Sequence, residues 1–502
     1  MFYRDTKIKK KVTKHDLTFT NFSALMDTDQ DDALMPYKKA KMSYNFKVKN
    51  GSLKTGYGFK ELKLPNLSTT GERQIVPPTG NIKKVWLYKY FDDTLGTFVD
   101  QLVIYLSTGD IYTCDIKSNS PLCASILNTV FSNGVPNALN YRLNSKDTMI
   151  FSSETDGMWT YTQDEVVSEV EDAPYIKSMC LHYERLFAIV GGERNRLAFS
   201  ANLDPTDWDE DLTSGGFIDM QDERGALSSV ISFNDYVYVF RDYGASKVSA
   251  YGDQSDFSVT HLFKSSVKLY GNTVTVCGNK VMLLAKDGIH VFDGYMTKKL
   301  DLGIDKLFVG VDNENACGLY YNNKFYLACR LNFNDGEVVG CEGYLGGYVN
   351  NALIEIDLTT NDISITRGVD ISSMLALDDE KVSKLVATFN GEHIGKIGEL
   401  TEDGKVFGSV LLKKWQSPKS SMGFIGKTKH IEHCYIKTDA EVTLKVKTDK
   451  HTKNIKILPC STAKKVRIGA FGEQVEVSFT VDTAGDINIV CPQIVVGVVA
   501  WK

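Results

Sequence analysis

Apolar and polar residues alternate in short runs along most of the chain, in the manner of β-strands. Runs of about five residues, rich in β-branched and aromatic side chains, are bounded by Gly, Asn, Asp or Ser, which favour turns. Examples are residues 85–88, 101–106, 235–240 and 324–328. Amphipathic helical periodicity is nearly absent, and the best helix candidate is the short segment 371–385. The pattern predicts an all-β protein.

The strand runs recur with turns of Asp and Gly or Asn and Gly, in which the glycine accepts the positive φ of a tight hairpin. Such turns stand at Gly109-Asp110, Asp156-Gly157, Asp287-Gly288 and Asn390-Gly391. A step of about 45 residues, sometimes doubled, accommodates most of them and matches the four-stranded blade of a β-propeller. We therefore predict a six- or seven-bladed β-propeller over residues 79–405, with a sandwich of unrelated hairpins as the alternative. The Gly-rich stretch 332–351 is predicted to be a loop inserted in a late blade.

The two flanks of this repeat have a different texture. Residues 1–78 contain few strand-like runs and many turn residues, which predicts an extended N-terminal segment. Over residues 406–502 the alternation lengthens, which predicts the half-buried strands of a C-terminal β-sandwich or barrel module. Its apolar segment 494–501 is expected to be a buried strand or to pair with another subunit, because an exposed apolar edge strand promotes aggregation.

Composition and charge narrow the class of function. The 502 residues are 43% hydrophobic and 24% charged, as in soluble globular chains. The net charge of -6 argues against a protein that grips DNA over most of its surface. Ten cysteines, none in a C-x-x-C spacing, indicate free thiols in a protein made in a reducing cytosol. No apolar run predicts a membrane-spanning helix, and we expect no secretory signal peptide.

Two groups of acidic residues invite a search for a site. Asp27, Asp29, Asp31 and Asp32 partly match a calcium loop, but the loop glycine and the final glutamate are missing, so a solvated acidic turn is the competing interpretation. Acidic residues also surround Trp208, namely Asp207, Asp209, Glu210 and Asp211. Paired carboxylates beside a tryptophan suit a glycosidase, and a solvated loop is again the alternative.

Other catalytic signals are lacking. His182 and His290 have no nucleophile turn nearby, and the chain contains no G-x-S-x-G, P-loop or H-E-x-x-H motif. His430 and His433 point to opposite faces of an extended strand and do not suit one metal ion. We therefore expect no catalytic, cofactor-binding or metal-binding residues, and a structural or binding role rather than an enzymatic one.

The chain begins with a basic arm that contains Lys9, Lys10 and Lys11, together with Lys7 and Lys14. Such an arm is either a solvated terminus or a segment that docks on an acidic partner or nucleic acid.

Three stretches resemble a known group of viral proteins. Asn45, Gly51, Gly58 and Phe59 follow the pattern N-x-x-x-x-x-G-x-L-x-x-R-x-G-F of phage tail proteins, with Gly56 in place of the usual arginine. Arg196, Pro205 and Trp208 resemble a blade signature of the same proteins, R-L-x-x-S-x-x-x-D-P-x-x-W. Trp415, in Lys414-Trp415-Gln416-Ser417-Pro418, begins a C-terminal module like those that follow such propellers. We expect Arg196 and Trp208 to contact each other around the Asp-Pro turn, with Trp208 largely buried.

Together these stretches resemble the tail nozzle (tail tubular protein B) family of short-tailed phages. The resemblance implies a structural virion protein that forms a ring, usually a hexamer, through which DNA is ejected, with no enzymatic activity and no cofactor. It also implies contact with a head–tail adaptor or portal-proximal ring and with tail fibres or appendages. The location implied is the virion tail, after synthesis in the cytoplasm of a bacterial host, without a membrane anchor on this chain.

Such a conduit is expected to pass double-stranded DNA without binding it tightly, which an acidic chain favours by like-charge repulsion. The alternative is a propeller that serves as a receptor- or glycan-binding tail component, possibly a glycan hydrolase. A glycan hydrolase requires carboxylates that converge on the central pocket of the propeller.

Overall fold

The computed structural model describes most of the chain. The described residues are 11–19, 22, 26–66, 71–209, 214–343, 347–379 and 382–500. Helices within these ranges are short 3-10 segments, at Gln254–Asp256, Asp305–Phe308, Gly340–Gly343 and Gly391–His393. None of the helices found there has the length and apolar character needed to cross a membrane.

Seven sheets follow one another along the chain between residues 82 and 410. In the first six, four strands pair in chain order, so each sheet is a series of hairpins. The first strand of each sheet contacts the first strand of the next, and the first strand of the seventh contacts that of the first. The sheets therefore close into a ring with their first strands innermost. This confirms the predicted β-propeller and sets the number of blades at seven.

The first six blades have regular strands. Those of blade 1 are Ile82–Asp92, Thr97–Leu106, Ile111–Asp115 and Cys123–Leu127; of blade 2, Asn137–Leu143, Lys146–Ser152, Met158–Thr162 and Val167–Val170; of blade 3, Ile176–His182, Arg185–Val190, Arg196–Phe199 and Gly216–Asp219. Those of blade 4 are Leu227–Phe233, Tyr236–Arg241, Gly244–Ser249 and Ser258–Lys264; of blade 5, Leu269–Cys277, Lys280–Ala285, Gly288–Phe292 and Thr297–Lys299; of blade 6, Cys317–Tyr321, Lys324–Cys329, Ala352–Asp357 and Ile363–Arg367.

Blade 7 is completed by a strand from the N-terminal segment. Its strands, in pairing order, are Ile371–Asp379, Val382–Phe389, Ile397–Thr401, Gly58–Glu61, Lys405–Val406 and Ser409–Val410. Phe59 lies opposite Leu400 in antiparallel pairing and beside Val406 in parallel pairing. Blade 7 contacts blade 1. The strand Gly58–Glu61 from the N-terminal segment therefore helps to close the ring of blades that residues 82–410 form.

Two further sheets form a β-sandwich beside the propeller. Sheet A contains, in pairing order, Phe46–Lys49, Ser52–Thr55, Asn488–Ala500, Lys429–Thr438 and Cys460–Gly472, with Lys11–Thr18 also paired to Asn488–Ala500. Sheet B contains Met42–Tyr44, Lys413–Gln416, Val475–Val481, Val442–Thr448 and Thr452–Ile457. A separate two-stranded ribbon joins Lys63–Pro65 to Glu72–Gln74.

The N-terminal segment is not the strand-poor extension that the sequence predicts. Its short strands enter both sheets of the sandwich and blade 7, so residues 1–78 and 406–502 do not form independent units. The propeller also extends past residue 405, to Ser409–Val410. Most of these strands have only three or four residues, too few to show alternation, and Met42–Tyr44 and Gly58–Glu61 find their partners more than 300 residues away.

The structure contradicts the predicted helix at 371–385 and confirms the predicted loop at 332–351. Segment 371–385, the best helix candidate, lies in a hairpin of blade 7 in which Met374 pairs with Ala387. Pairing within the propeller outweighs its weak helical periodicity. The predicted long loop is present in blade 6, between Lys324–Cys329 and Ala352–Asp357; its residues 344–346 lie outside the described part.

The apolar C-terminal segment is an interior strand of its own sandwich. Asn488–Ala500 pairs with Lys429–Thr438 on one side and with Lys11–Thr18 on the other. Ile494, Val496 and Val498 are buried. Pairing within the chain therefore accounts for this segment without a second subunit; Trp501 lies outside the described residues.

Buried side chains join the sandwich and the late blades in one core. Trp415 and Phe479 of sheet B belong to the same apolar cluster as Phe325 of blade 6 and Phe389 of blade 7. Smaller clusters fill the junctions between the other blades; Phe240 of blade 4 packs on Phe292 of blade 5, for example. The sandwich is therefore held to one side of the propeller through a continuous apolar interior.

Candidate functional site at the junction of propeller and sandwich

Asn45 connects three parts of the chain at the junction. Its backbone has a positive φ of 59°, which asparagine accepts more readily than most residues. The side-chain amide donates to the carbonyl oxygens of Arg367 and Leu412 at 3.2 and 2.8 Å, and its Oδ1 accepts from the Arg367 N–H at 2.8 Å. This fully buried side chain thus joins the N-terminal segment, blade 6 and the start of the C-terminal module.

The glycines of the same stretch allow a turn and two close backbone contacts. Gly51, with a φ of 71°, lies in the turn between Phe46–Lys49 and Ser52–Thr55. A Cβ at Gly56 would lie 2.6 Å from the Asn45 carbonyl oxygen, and one at Gly58 would overlap the Lys405 carbonyl oxygen. An arginine at position 56, as the phage pattern has it, would not fit this backbone.

Phe59 anchors the closing strand in blade 7. Its ring is fully buried and packs edge-on against Phe389 at 5.1 Å between ring centroids. Its carbonyl oxygen accepts from the Phe407 N–H at 2.8 Å. Asn45, Gly51, Gly58 and Phe59, which the sequence singled out, therefore all build the junction.

A buried ion cluster lies at the junction and was missed in the sequence. Arg367 of blade 6 pairs with Asp335 and Glu342 of the long loop, each at 2.9 Å. Burial alone would lower the pKa of Arg367, but the Glu342 and Asp335 carboxylates raise it. Burial likewise opposes ionisation of Asp335, yet Arg367 holds its pKa below the usual value. The guanidinium also lies 4.1 Å from the Phe333 ring centroid, in cation–π contact.

Sheet B joins this cluster through two side chains. Lys414 Nζ lies 3.4 Å from Asp335 Oδ2, and the Tyr44 hydroxyl donates to the same oxygen at 3.3 Å. The loop of blade 6 is thereby bound to the sandwich by charges from which water is largely excluded. No spacing in the sequence brings residues 44, 335, 367 and 414 together, so only the tertiary structure identifies this cluster.

A cavity of about 540 Å³ lies between the sandwich and blades 6 and 7. Lys47 lies at its wall, 2.7 Å from Glu402 and 3.3 Å from the Tyr57 ring centroid. Lys324 pairs with the buried Glu355 at 2.5 Å. Burial lowers the pKa of Lys47, although Glu355 and Glu402 oppose this shift. The Lys47–Glu402 pair thus supplements the apolar core across the junction, while Lys324–Glu355 is internal to blade 6.

Lys413 is a buried lysine at the start of the sandwich. Its Nζ donates to the carbonyl oxygens of Leu411 and Thr483 at 3.1 and 3.4 Å, and no carboxylate of the described residues forms an ion pair with it. Burial lowers its pKa from 10.5 to about 8. The folded protein therefore disfavours the protonated form of Lys413. This lowers the free energy of unfolding by its full amount below pH 8, and the effect disappears above pH 10.5, the pKa of lysine in the unfolded chain.

We expect Lys413→Met to stabilise the protein by about 1 kcal/mol at pH 7, since desolvation of the charge costs more than the two lost hydrogen bonds contribute. The gain should shrink as pH rises from 8 toward 10.5, where the wild-type lysine is neutral. Urea unfolding at several pH values measures this. Lys427→Met, at an exposed lysine, is the control and should show no such trend. A gain independent of pH would contradict the electrostatic explanation.

Trp415 is at the centre of an aromatic cluster in the sandwich. Its side chain is fully buried, with Phe22 at 5.0 Å and Phe19 at 5.7 Å between ring centroids. Phe479 completes the cluster at 6.0 Å. The N-terminal segment thus supplies core residues to the sandwich as well as strands.

The basic arm lies mostly outside the described residues, which exclude Lys9 and Lys10. Lys11 begins the strand Lys11–Thr18 and pairs through its backbone with Ala500. Lys14 forms an exposed ion pair with Glu432 at 2.8 Å. The part of the arm that is described is therefore an edge strand of sheet A.

The expected contact between Arg196 and Trp208 stays a prediction. Arg196 binds Asp219 of the neighbouring strand with two hydrogen bonds of 3.0 Å and lies 3.9 Å from the Phe217 ring centroid. Adjacent strands of blade 3 place Asp219 directly opposite Arg196, which decides the partner.

Pro205 is buried in a turn that Asp204 holds through the N–H and hydroxyl of Thr206. Trp208, three residues further on, is half-buried rather than largely buried. It packs against the cluster between blades 2 and 3 that contains Ile150 and Leu186.

The acidic groups are engaged with the protein itself. Asp27 pairs with Lys39 at 2.6 Å, and Asp32 pairs with Lys41 at 2.9 Å. Asp29 accepts from the backbone N–H groups of residues 305 and 306, at 3.0 and 2.9 Å. The turn predicted to be either solvated or calcium-binding thus attaches the N-terminal segment to the connection between blades 5 and 6.

Asp207 and Asp209 lie in the connection between the third and fourth strands of blade 3, on the outer side of the blade; Glu210 and Asp211 are outside the described residues.

Around the central axis, side chains of one blade donate hydrogen bonds to backbone carbonyl oxygens of the next. The donors and acceptors are Lys84 and Pro136, Asn137 and Lys177, Lys177 and Leu227, Asn272 and Glu314, and Thr388 and Lys83. These bonds use the side chains of lysine, asparagine and threonine.

Among the described residues, one group of three side chains could hold a metal ion: Cys341, Glu392 and His393 lie with ligand atoms within 4.8 Å of one another. Burial raises the pKa of the Cys341 thiol to about 12, which disfavours the thiolate that a metal needs. Glu392 is exposed and already lies 3.0 Å from His393 Nε2. The group therefore offers a buried thiol beside a pair of neighbouring side chains of blade 7.

The sheet topology and this junction define a β-propeller protein with a β-sandwich built from both ends of the described chain. No protein-family model and no curated protein matches the chain. Among solved structures, the chain is similar to BBS1N in its complex with ARL6DN (8% identity, TM-score 0.40, covering 68% of this chain and 96% of that one). It is also similar to the AfRom2 CNH domain (9%, 0.36, 65% and 96%) and to YjhT (8%, 0.34, 58% and 99%). Likenesses this distant carry no argument about function.

Proposed function

We propose that the protein is a structural subunit of a phage tail nozzle, in which identical copies form a ring and DNA leaves the particle through its lumen. The observation that carries the proposal is the junction between propeller and sandwich, where strands of the N-terminal segment pair within blade 7 and within both sheets of the sandwich. Because the sandwich shares an apolar core with the propeller, it is held rigidly at one side of it. In a closed ring the sandwich of one copy can then contact the propeller of the next.

The phage-like residues support the same proposal. Asn45, Gly51, Gly58 and Phe59 build the junction, and Trp415 fills the core of the sandwich. The residues that carry the resemblance therefore have a structural task in this fold. In this proposal the role is non-enzymatic and needs no cofactor.

The lumen for DNA would lie between subunits and not along the axis of a propeller, since hydrogen bonds between innermost strands tie the blades together there. A ring of six copies, as the resemblance implies, would contact a head–tail adaptor or portal-proximal ring on one side and tail fibres or appendages on the other. The arm with Lys9, Lys10 and Lys11 would dock on the adjacent ring through its charge.

Negative-stain imaging together with mass measurement of the purified chain tests the ring. We expect closed rings of about six copies, the symmetry being that of a head-to-tail assembly. A chain that remains monomeric at every concentration and salt condition examined would contradict the proposal and favour the receptor-binding alternative.

The arm has its own test in virion assembly. Deleting residues 1–10 should leave the fold and the ring intact and reduce incorporation into particles, with attachment of the intact protein weakening at high salt. The deletion must stop before the strand Lys11–Thr18, because removing that strand would disturb sheet A. Normal incorporation of the truncated chain would show that the arm is only a solvated terminus.

A further inference from the structure

The sandwich has a basic edge in an otherwise acidic chain. Residues 442–472 contain eight Lys and Arg residues and one acidic residue, Asp449, so this segment carries +7. The chain as a whole carries -6, which leaves -13 for the rest. Asp449 accepts from the backbone N–H groups of Glu473 and Gln474 and is thus engaged locally.

These cations cover the edge of the sandwich that faces away from the propeller. The opposite edge strands, Met42–Tyr44 and Phe46–Lys49, contact Ile363–Arg367 of blade 6. Thr452–Ile457 ends sheet B and Cys460–Gly472 ends sheet A. From one edge to the other each sheet has five strands in pairing order, so the two edges lie four strand spacings, or about 19 Å, apart.

The cations are exposed and, with one exception, without acidic partners among the described residues. The exposed side chains are Lys445, Lys447, Lys450, Lys453, Lys456, Lys464, Lys465 and Arg467. Only Lys456 forms an ion pair, with Glu441 at 3.0 Å. Lysines on edge strands commonly prevent unwanted strand pairing. Here the charge also extends over both outer faces, since Lys445 and Lys447 lie on sheet B and Lys465 and Arg467 on sheet A.

The propeller has an acidic edge at blade 2. Among the described residues, its outermost strand, Val167–Val170, pairs with Met158–Thr162 alone and leaves one edge open. Residues 164–172 contain five acidic residues and no basic residue. All five are exposed, and only Asp164 has an ion-pair partner among the described residues, Lys146.

Both edges also expose apolar side chains. Leu458 and Phe471 on the basic edge are 58% and 44% exposed, and Val166 and Tyr175 beside the acidic edge are 52% and 53% exposed. Apolar and aromatic anchors surrounded by charged residues are typical of specific protein interfaces, whereas a phosphate backbone would need only the cations.

The two edges lie on opposite sides of the propeller. Blade 6, which carries the sandwich, is three blades from blade 2 in one direction around the ring of seven and four in the other. One copy cannot bring these edges together within itself, but neighbouring copies can. Contacts between different surfaces of identical copies generate closed rings or open filaments.

We infer that the basic edge of the sandwich docks on the acidic edge of blade 2 in a second copy of this chain. The inference rests on the proposed ring and names the two surfaces that form it. The partner is thus another copy, held by charge complementarity around apolar anchors.

Charge reversal on each surface tests this in the full-length chain. One variant carries Lys453→Glu, Lys464→Glu and Lys465→Glu; the second carries Glu165→Lys, Glu169→Lys and Glu171→Lys. Each should associate at least 100-fold more weakly than wild type, because like charges face each other across the contact. The combination of all six changes in one chain, or an equimolar mixture of the two variants, should restore association. A triple variant at exposed lysines elsewhere, Lys286→Glu, Lys298→Glu and Lys427→Glu, is the control and should assemble as wild type does.

Sedimentation velocity and negative-stain imaging read out the result, and circular dichroism confirms that each variant is folded. Rings that persist in both reversal variants would overturn this inference and leave the proposed nozzle intact. Charge-dependent association into open chains would support the contact but contradict the nozzle ring. A wild-type chain that stays monomeric and binds a short DNA duplex through the same three lysines would overturn both.

Discussion

Trp415→Ala is expected to destabilise the protein by about 3–5 kcal/mol, the range for loss of a fully buried aromatic residue. The indole is surrounded by Phe19, Phe22 and Phe479, so the change leaves a cavity that rigid neighbouring rings cannot fill. Because Phe19 and Phe22 come from the N-terminal segment, the change should also loosen that segment. Thermal unfolding and limited proteolysis near residues 19–26 measure the two effects.

Trp208→Ala provides the matched control. Trp208 is half-buried at the junction of blades 2 and 3, so its loss should cost clearly less, about 1–2 kcal/mol. It should also leave proteolysis of the N-terminal segment unchanged. An equal or larger effect of the Trp208 change would contradict the assignment of Trp415 as the centre of the aromatic cluster in the sandwich.

Arg367→Met is expected to cost about 3–5 kcal/mol, because removal of one partner leaves buried charges uncompensated. Asp335 and Glu342 both depend on this guanidinium, and Lys414 neutralises only Asp335 in part. Urea unfolding at pH 7 measures the loss. We expect the docking of the sandwich on blade 6 to weaken before the propeller unfolds.

The pH dependence of this variant gives a separate check. In the wild type Arg367 holds the pKa of Asp335 low, so the stabilisation is present above the unfolded pKa of 3.8 and is lost as pH falls below it. In the variant Asp335 no longer has this partner and its pKa rises, so the deficit in the free energy of unfolding should narrow as pH falls toward about 4. Adding Asp335→Asn and Glu342→Gln should recover most of the stability at pH 7. A deficit that is constant with pH and unaffected by these changes would show that packing, not charge, explains the loss.

The proposals differ in how far they depend on one another. The stability predictions concern the junction alone and hold for any propeller protein built in this way. The ring depends on the junction as a rigid projection, and the contact between the basic and acidic edges depends on the ring. Imaging of the wild-type chain is therefore the first experiment, since it decides whether the charge-reversal variants test a ring or an open chain.

The all-β fold class can be predicted from the sequence, because strand propensity and Asp-Gly turns are local properties. Asp156-Gly157 and Asp287-Gly288 lie between the second and third strands of blades 2 and 5, as short-range turn chemistry predicts. The long loop of blade 6 was likewise visible as a Gly-rich interruption of the strand pattern.

The tertiary structure alone decided which distant residues meet. Gly58–Glu61 is too short to be recognised as a strand, and only its pairing with Ile397–Thr401 makes it part of blade 7. Arg196 meets Asp219 across a pair of strands, although the two residues are 23 positions apart in the sequence. The cluster of Arg367 with Asp335 and Glu342 has no signal in the sequence, because a charged residue looks the same whether it is solvated or buried with a partner. Local patterns therefore gave the elements of this protein, while long-range pairing and burial fixed the junction on which its proposed function depends.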